Sequence, residues 1–106
     1  MDASGIKDMF LDAIGGTSLD DATVDKLLTD SLNLLNQKTS HIGVDFVNDY
    51  SLLTLLAMQY YYDLLQRNYD DAAKNEKEIT RLSQQVTNDL IQVEQADFPN
   101  YMGDRG

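Results

Sequence analysis

The sequence predicts an all-α fold, a small bundle of about four helices in which one helix is buried at the centre. Apolar residues recur at three- and four-residue spacings over most of the 106 residues, as in helices with one buried face. The only proline, Pro99, lies near the end and allows long helices before it. Strand signals are weak, since only residues 42–47 favour a short extended piece.

The first predicted helix is short and covers residues 6–14. Ser4 is a candidate N-cap, and Gly15 and Gly16 form a typical C-terminal stop. Its apolar residues fall on one face because they follow the helical period. They are Ile6, Met9, Phe10, Ala13 and Ile14.

The second predicted helix runs from about residue 19 to residue 38. Thr17 or Ser18 can cap it, and Asp20 and Asp21 then lie in its first turn, where the helix dipole favours anions. A single stripe of residues is expected to face the core. It consists of Val24, Leu27, Leu28, Ser31, Leu34 and Leu35.

The third predicted helix begins near Asp45 or Asn48 and runs to about Arg67. It contains the run 52–65, which is apolar almost all round. A helix wetted on one side shows a polar face, so this run is expected to be covered by other helices or by other subunits. Only three of its residues are expected to face water. They are Thr54, Gln59 and Asp63.

The fourth predicted helix covers residues 71–95, with a break near residues 68–71 slightly favoured over one continuous helix. Its first half is polar and is expected to project into solvent or against a partner. A narrow apolar stripe follows in the second half of this helix. The stripe consists of Ile79, Leu82, Val86, Leu90 and Val93. We expect one helical domain over residues 1–95 and a non-helical, extended C-terminal tail over residues 96–106.

Composition excludes several functional classes. The chain has no cysteine, which rules out disulfides, thiolate metal sites and cysteine nucleophiles. Its formal net charge of −10 disfavours tight binding to nucleic acid, which requires a basic surface. The start of the chain lacks the features of a signal peptide. The run 52–65 is shorter than the roughly 20 residues of a membrane-spanning helix, so no membrane association is expected.

No catalytic or cofactor-binding arrangement is evident. His41 is the only histidine, and although Ser40 is adjacent and Asp45 is near, we interpret it as a loop residue with a local hydrogen bond. Asp21 and Asp25 share a helix face, which is typical of a solvated acidic face and lacks the Glu-x-x-His pairs of dimetal bundles. We therefore predict no enzyme activity, no metal and no cofactor.

Three consecutive tyrosines, Tyr60, Tyr61 and Tyr62, are the main interface candidates of the predicted buried helix. On a helix they point about 100° apart, so they cannot form one stacking platform. Tyrosine is enriched at interaction hot spots but also packs in protein cores. For these three tyrosines we give a core role and an interface role equal weight.

Two stretches resemble the small head–tail connector proteins of tailed bacteriophages, also called adaptor or head-completion proteins. They are residues 19–28, LDDATVDKLL, and residues 55–63, LLAMQYYYD, within the order of a short helix, a glycine stop, an acid-capped helix and a tyrosine-rich helix. The resemblance implies a virion subunit that assembles in the bacterial host cytoplasm. It also implies a homo-oligomeric ring, commonly of twelve subunits, beneath the portal protein.

In that family the ring extends the DNA channel and offers a docking surface for the tail or a stopper protein. The resemblance thus implies that DNA passes through without specific binding, as an acidic wall would allow. It also implies that the apolar tail residues Phe98, Tyr101 and Met102 dock on a neighbouring subunit or on the portal. The alternative hypothesis is an acidic helical interaction module, or regulator, that binds a basic partner protein.

Overall fold

A computed structural model describes residues 2–16, 19–40 and 44–97, with the backbone alone for residues 92–97. These residues form five helices and no strand, which confirms the predicted all-α bundle. The fifth helix arises because the third predicted helix is divided in two. The helices are α1 (Ala3–Ala13), α2 (Asp21–Thr39), α3 (Phe46–Asp49), α4 (Ser51–Leu65) and α5 (Tyr69–Asp97).

Helix α4 lies at the centre and contacts each of the other four helices, as predicted for the buried helix. Two groups of buried side chains hold it. The first joins α4 to α1 and α2, and the second joins it to α2, α3 and α5. The first group is Ile6, Phe10, Val24, Leu27, Leu28 and Met58. The second group is Leu35, Phe46, Leu53, Ala57, Ile79 and Val86.

Aspartates cap the first two helices, and both caps differ from the predicted ones. Asp2, rather than Ser4, accepts a hydrogen bond from the backbone N–H of Gly5 at 2.9 Å, so α1 begins earlier than predicted. Asp20 is itself the N-cap of α2 and accepts from the N–H of Thr23 at 2.8 Å. Because both carboxylates lie at a helix N-terminus, they also interact favourably with the helix dipole.

Helix α1 ends at the predicted glycine stop. Gly15 has a φ of +85°, in the left-handed region that glycine adopts without a steric penalty. The N–H of Gly16 donates to the carbonyl of Leu11 at 2.8 Å, and the N–H of Gly15 donates to that of Asp12 at 3.1 Å. These two bonds form a Schellman motif and satisfy carbonyls that the end of the helix would leave unpaired.

The break between α4 and α5 is confirmed, although no glycine or proline produces it. Arg67 takes the left-handed position, with a φ of 60°. Its N–H donates to the carbonyl of Leu64 at 3.1 Å, and the N–H of Asn68 donates to that of Asp63 at 2.8 Å. This is the same motif as at the end of α1, with an arginine where glycine is usual.

The third predicted helix is interrupted at Tyr50, which separates α3 from α4. Thr54 spans the interruption, because its hydroxyl donates to the carbonyl of Phe46 at 2.8 Å and lies 3.1 Å from that of Tyr50. The prediction that Thr54 faces water is therefore wrong. Its side chain is fully buried because the hydroxyl satisfies backbone carbonyls inside the protein.

Helix α5 is longer and better packed than predicted. Ala72 is buried, and the side-chain amide of Asn75 donates to Asp63 on α4 at 2.8 Å. The polar first half of α5 therefore packs against α4 instead of projecting from the bundle. The helix also includes Ala96 and Asp97, which were predicted to belong to the non-helical tail.

Candidate interaction surface

The two ends of α4 expose leucine side chains. Leu52, in the first turn, is 72% exposed, and Leu65, the last residue, is 56% exposed. The other described helices cover the middle of α4 but not these ends. Among the described residues, the run 52–65 is thus covered by other helices, as the sequence predicts, only between the two leucines.

A groove between α2 and α4, here called the α2–α4 groove, adjoins Leu65. It encloses about 400 Å³, and its apolar lining includes Leu27, Tyr61 and Leu64. Lys26 and Asp30 also line it and form an ion pair with 2.8 Å between Nζ and Oδ2. The groove therefore combines an apolar surface with charged groups, as is common at protein interfaces.

A second groove, here called the α4–α5 groove, adjoins Leu52. It encloses about 410 Å³ between the start of α4 and the middle of α5. Tyr50 and Leu53 line one side, and Leu82 and Val86 line the other. Each exposed leucine therefore stands beside a groove large enough to receive side chains of another molecule.

The three tyrosines point toward three different helices. The hydroxyl of Tyr60 donates to Glu76 on α5 at 3.2 Å, whereas Tyr61 lines the α2–α4 groove. The ring of Tyr62 meets that of Phe10 on α1 edge-on, with 5.8 Å between centroids. All three side chains are half-buried, so each contributes to packing and retains a surface.

Burial also affects the ionisation of two of these phenols. It is the main cause that raises the pKa of Tyr60 above its ordinary value, and the negative charge of Glu76 adds to it. Burial likewise raises the pKa of Tyr61, with a further contribution from Asp30. Both phenols are therefore neutral near pH 7 and act as hydrogen-bonding groups.

A polar recess lies between the end of α1, α4 and the start of α5. It contains Asp63 and Asp71, which accept hydrogen bonds from Asn75 at 2.8 Å and Asn68 at 2.7 Å. Burial, and to a lesser degree the nearby Asp71, raises the pKa of Asp63. Within the described residues no group of three or more histidine, cysteine, aspartate or glutamate side chains is arranged to hold a metal ion.

The acidic residues at the start of α2 lie beside α1. Asp25 forms an ion pair with Lys7 of α1, with 2.7 Å between Oδ1 and Nζ. Asp8 and Asp21 line the same small cleft. The pKa of Lys7 is raised, chiefly by its hydrogen bond to Asp25 and further by these two carboxylates. Asp21 and Asp25 thus belong to an exposed acidic face, in agreement with the sequence interpretation.

Sequence reasoning identified α4 but not the residues at its ends that remain exposed. Leu52 and Leu65 could be recognised only as the first and last positions of the apolar run, where a bundle covers a helix least. The candidates Phe98, Tyr101 and Met102 lie outside the described residues, as do His41 and the predicted caps Thr17 and Ser18.

The chain matches no family model, no curated protein and no solved structure among those compared with it. Within the described ranges, no helix combines the length and the apolar character needed to cross a membrane.

Proposed function

We propose that this chain is a structural subunit that assembles with copies of itself into a ring, as the head–tail connector proteins of tailed bacteriophages do. The observation that carries the proposal is the pair of exposed leucines, each beside a groove, at opposite ends of the central helix. Leu52 and Leu65 belong to different surfaces, and a ring subunit needs two surfaces, one for each neighbour.

Burial of the two ends of α4 would favour association. Full burial of a leucine side chain contributes about 1.5–3 kcal/mol, and most of this is still available at Leu52 and Leu65. Insertion of a neighbour's side chains into the α2–α4 and α4–α5 grooves would bury further apolar surface. Tyr61 lies in the first groove and remains the tyrosine best placed for an interface.

The proposal extends to the surroundings of such a ring. A chain with 18 acidic and eight basic residues offers DNA few lasting phosphate contacts, which suits a channel through which DNA passes. The ring would lie in the virion between the portal protein and the tail or a stopper protein. The segment 98–106, with its three apolar residues, is proposed to dock on a neighbour or on the portal.

Native mass spectrometry and electron microscopy of the purified chain, alone and with portal rings, test the proposal. We expect masses that are multiples of the 11.9 kDa subunit, and ring-shaped particles or co-sedimentation with the portal. A protein that remains a monomer of 11.9 kDa and does not bind portal rings would refute the proposal. A one-to-one complex with a basic protein, without self-association, would instead favour the acidic interaction module.

A further inference from the structure

The α4–α5 groove combines an apolar lining with two carboxylates and, among the described residues, no cation. Leu52 is the most exposed apolar residue of this lining, and the carboxylates are those of Asp49 and Asp89. The α2–α4 groove differs, because Lys26 and Asp30 already form an ion pair there. An occupant of the α4–α5 groove therefore needs apolar side chains and must not bring further negative charge.

The segment 98–106 meets both requirements. Three apolar side chains, Phe98, Tyr101 and Met102, lie within five residues of one another. Asp104 and Arg105 are the only charged side chains of the segment and cancel each other. Two chains with a net charge of −10 repel each other, whereas a neutral segment enters an acidic groove without this repulsion.

We propose that segment 98–106 of one copy docks in the α4–α5 groove of a neighbouring copy, with Phe98, Tyr101 and Met102 as the anchors. The inference rests on the proposed self-assembly and names the surface that receives the segment. Each copy supplies one segment and one groove, so every contact joins two different surfaces. A head-to-tail contact of this kind repeats from copy to copy and closes into a ring when its rotation allows.

The reach of the chain explains why the groove belongs to a neighbour. Asp97, the last residue of α5, lies eight residues beyond Asp89, which corresponds to about 12 Å along the helix. A chain reversal needs about four residues, so a segment that turned back along α5 would begin its return near residue 101. Met102 would then lie only about 4 Å along the return, and Phe98 would lie inside the turn. The anchors therefore fall short of the groove of their own chain.

Cross-linking tests the proposal cleanly because the chain contains no cysteine. Gln85→Cys places a thiol at an exposed position of the groove, and Asn100→Cys places one in the segment without changing an anchor. Thr29→Cys, on the exposed face of α2, is the matched control for the groove position.

The Gln85→Cys and Asn100→Cys proteins are mixed with a short bis-maleimide, and the mixed dimer is identified by mass spectrometry of its peptides. This dimer should form at least about tenfold faster than the dimer of Thr29→Cys with Asn100→Cys, because docking raises the effective concentration of the paired thiols.

The anchors are tested within the Asn100→Cys protein. Serine at all three anchors should lower the cross-linking rate to that of the Thr29→Cys control, because the apolar contact is lost. The matched variant Phe98→Leu, Tyr101→Phe and Met102→Leu keeps apolar side chains and should retain the faster rate. Circular dichroism should be the same for both variants, since the three positions lie beyond α5.

The outcomes separate this inference from the proposed function. A wild-type chain that never self-associates would overturn both. A wild type that assembles, while Gln85→Cys reacts no faster than Thr29→Cys or the serine variant reacts as fast as its parent, would overturn the docking alone. Cross-linking within a single dilute chain that carries both Gln85→Cys and Asn100→Cys would assign the segment to its own groove and also overturn the proposal.

Discussion

Replacement of Arg67 by glycine should stabilise the protein, although glycine usually weakens a helical region. Arg67 has a φ of 60°, and its N–H completes the motif that ends α4 by donating to the carbonyl of Leu64. The left-handed conformation brings the Cβ of an L-residue too close to a carbonyl oxygen. Glycine has no Cβ and adopts this conformation without the penalty.

The expected gain follows from two opposing terms. Relief of the left-handed conformation contributes about 1–2 kcal/mol, and the greater freedom of glycine in the unfolded chain costs about 0.4–1 kcal/mol. Arg67→Gly should therefore add about 1 kcal/mol, the central value of the difference between these two terms. Gly15→Ala is the reverse experiment, because a Cβ at Gly15 would meet no atom within 4 Å and the cost is purely conformational. It should remove about 1 kcal/mol through the same two terms.

Urea unfolding followed by circular dichroism measures both changes, with Arg67→Ala as the control that keeps the Cβ. If residues 66–68 instead continued one long helix, glycine at position 67 would cost about 1 kcal/mol relative to alanine. A helix break and a continuous helix at position 67 thus predict opposite signs for the difference in stability between Arg67→Gly and Arg67→Ala. A variant Arg67→Gly that is less stable than Arg67→Ala would refute the helix break described above.

Four further substitutions test individual polar side chains. Thr54→Val keeps the side-chain volume but removes the hydroxyl that bonds the carbonyl of Phe46, so unfolding should show a loss of about 1 kcal/mol. Ser83→Ala removes a buried hydroxyl that has no partner among the described residues and should add about 1 kcal/mol, whereas Ser31→Ala loses a 2.6 Å hydrogen bond and should not. Asp63→Asn should raise the Tm at neutral pH but not in acid. The raised pKa of Asp63 means that the wild type loses stability as the pH rises through it.

The helices were predictable because their signals are local. The apolar period of α2 and the glycine pair after α1 depend only on neighbouring residues, and both agree with the structure. The end of α4 carried no comparable signal, because the left-handed residue there is Arg67 and not glycine. An arginine takes this conformation only when the surrounding structure imposes it. The central place of α4 was predictable from the apolar composition of α4.

The errors share a physical cause, which is competition among polar side chains for backbone groups. Asp2 lies two residues before Ser4, and its carboxylate is the N-cap of α1, so that Ser4 lies inside the helix. Thr54 is polar by composition, yet its hydroxyl bonds carbonyls at the α3–α4 junction and is buried. A linear sequence does not state which carbonyls a fold leaves unpaired.

The candidate surface was only partly predictable for a related reason. The apolar run indicated that α4 requires burial, but the exposure of Leu52 and Leu65 depends on where neighbouring helices begin and end. The residues that line the groove beside each leucine come from different helices, so only the packing brings them together.

The most direct test of the central claim is the sedimentation behaviour of the double variant Leu52→Gln and Leu65→Gln. Both side chains are largely exposed, so the folded monomer should lose little stability. The wild type and a control, Thr29→Gln on the exposed face of α2, should form multiples of the 11.9 kDa subunit, whereas the double variant should remain a folded monomer. A double variant that assembles as fully as the wild type would contradict the claim that the ends of α4 are interfaces.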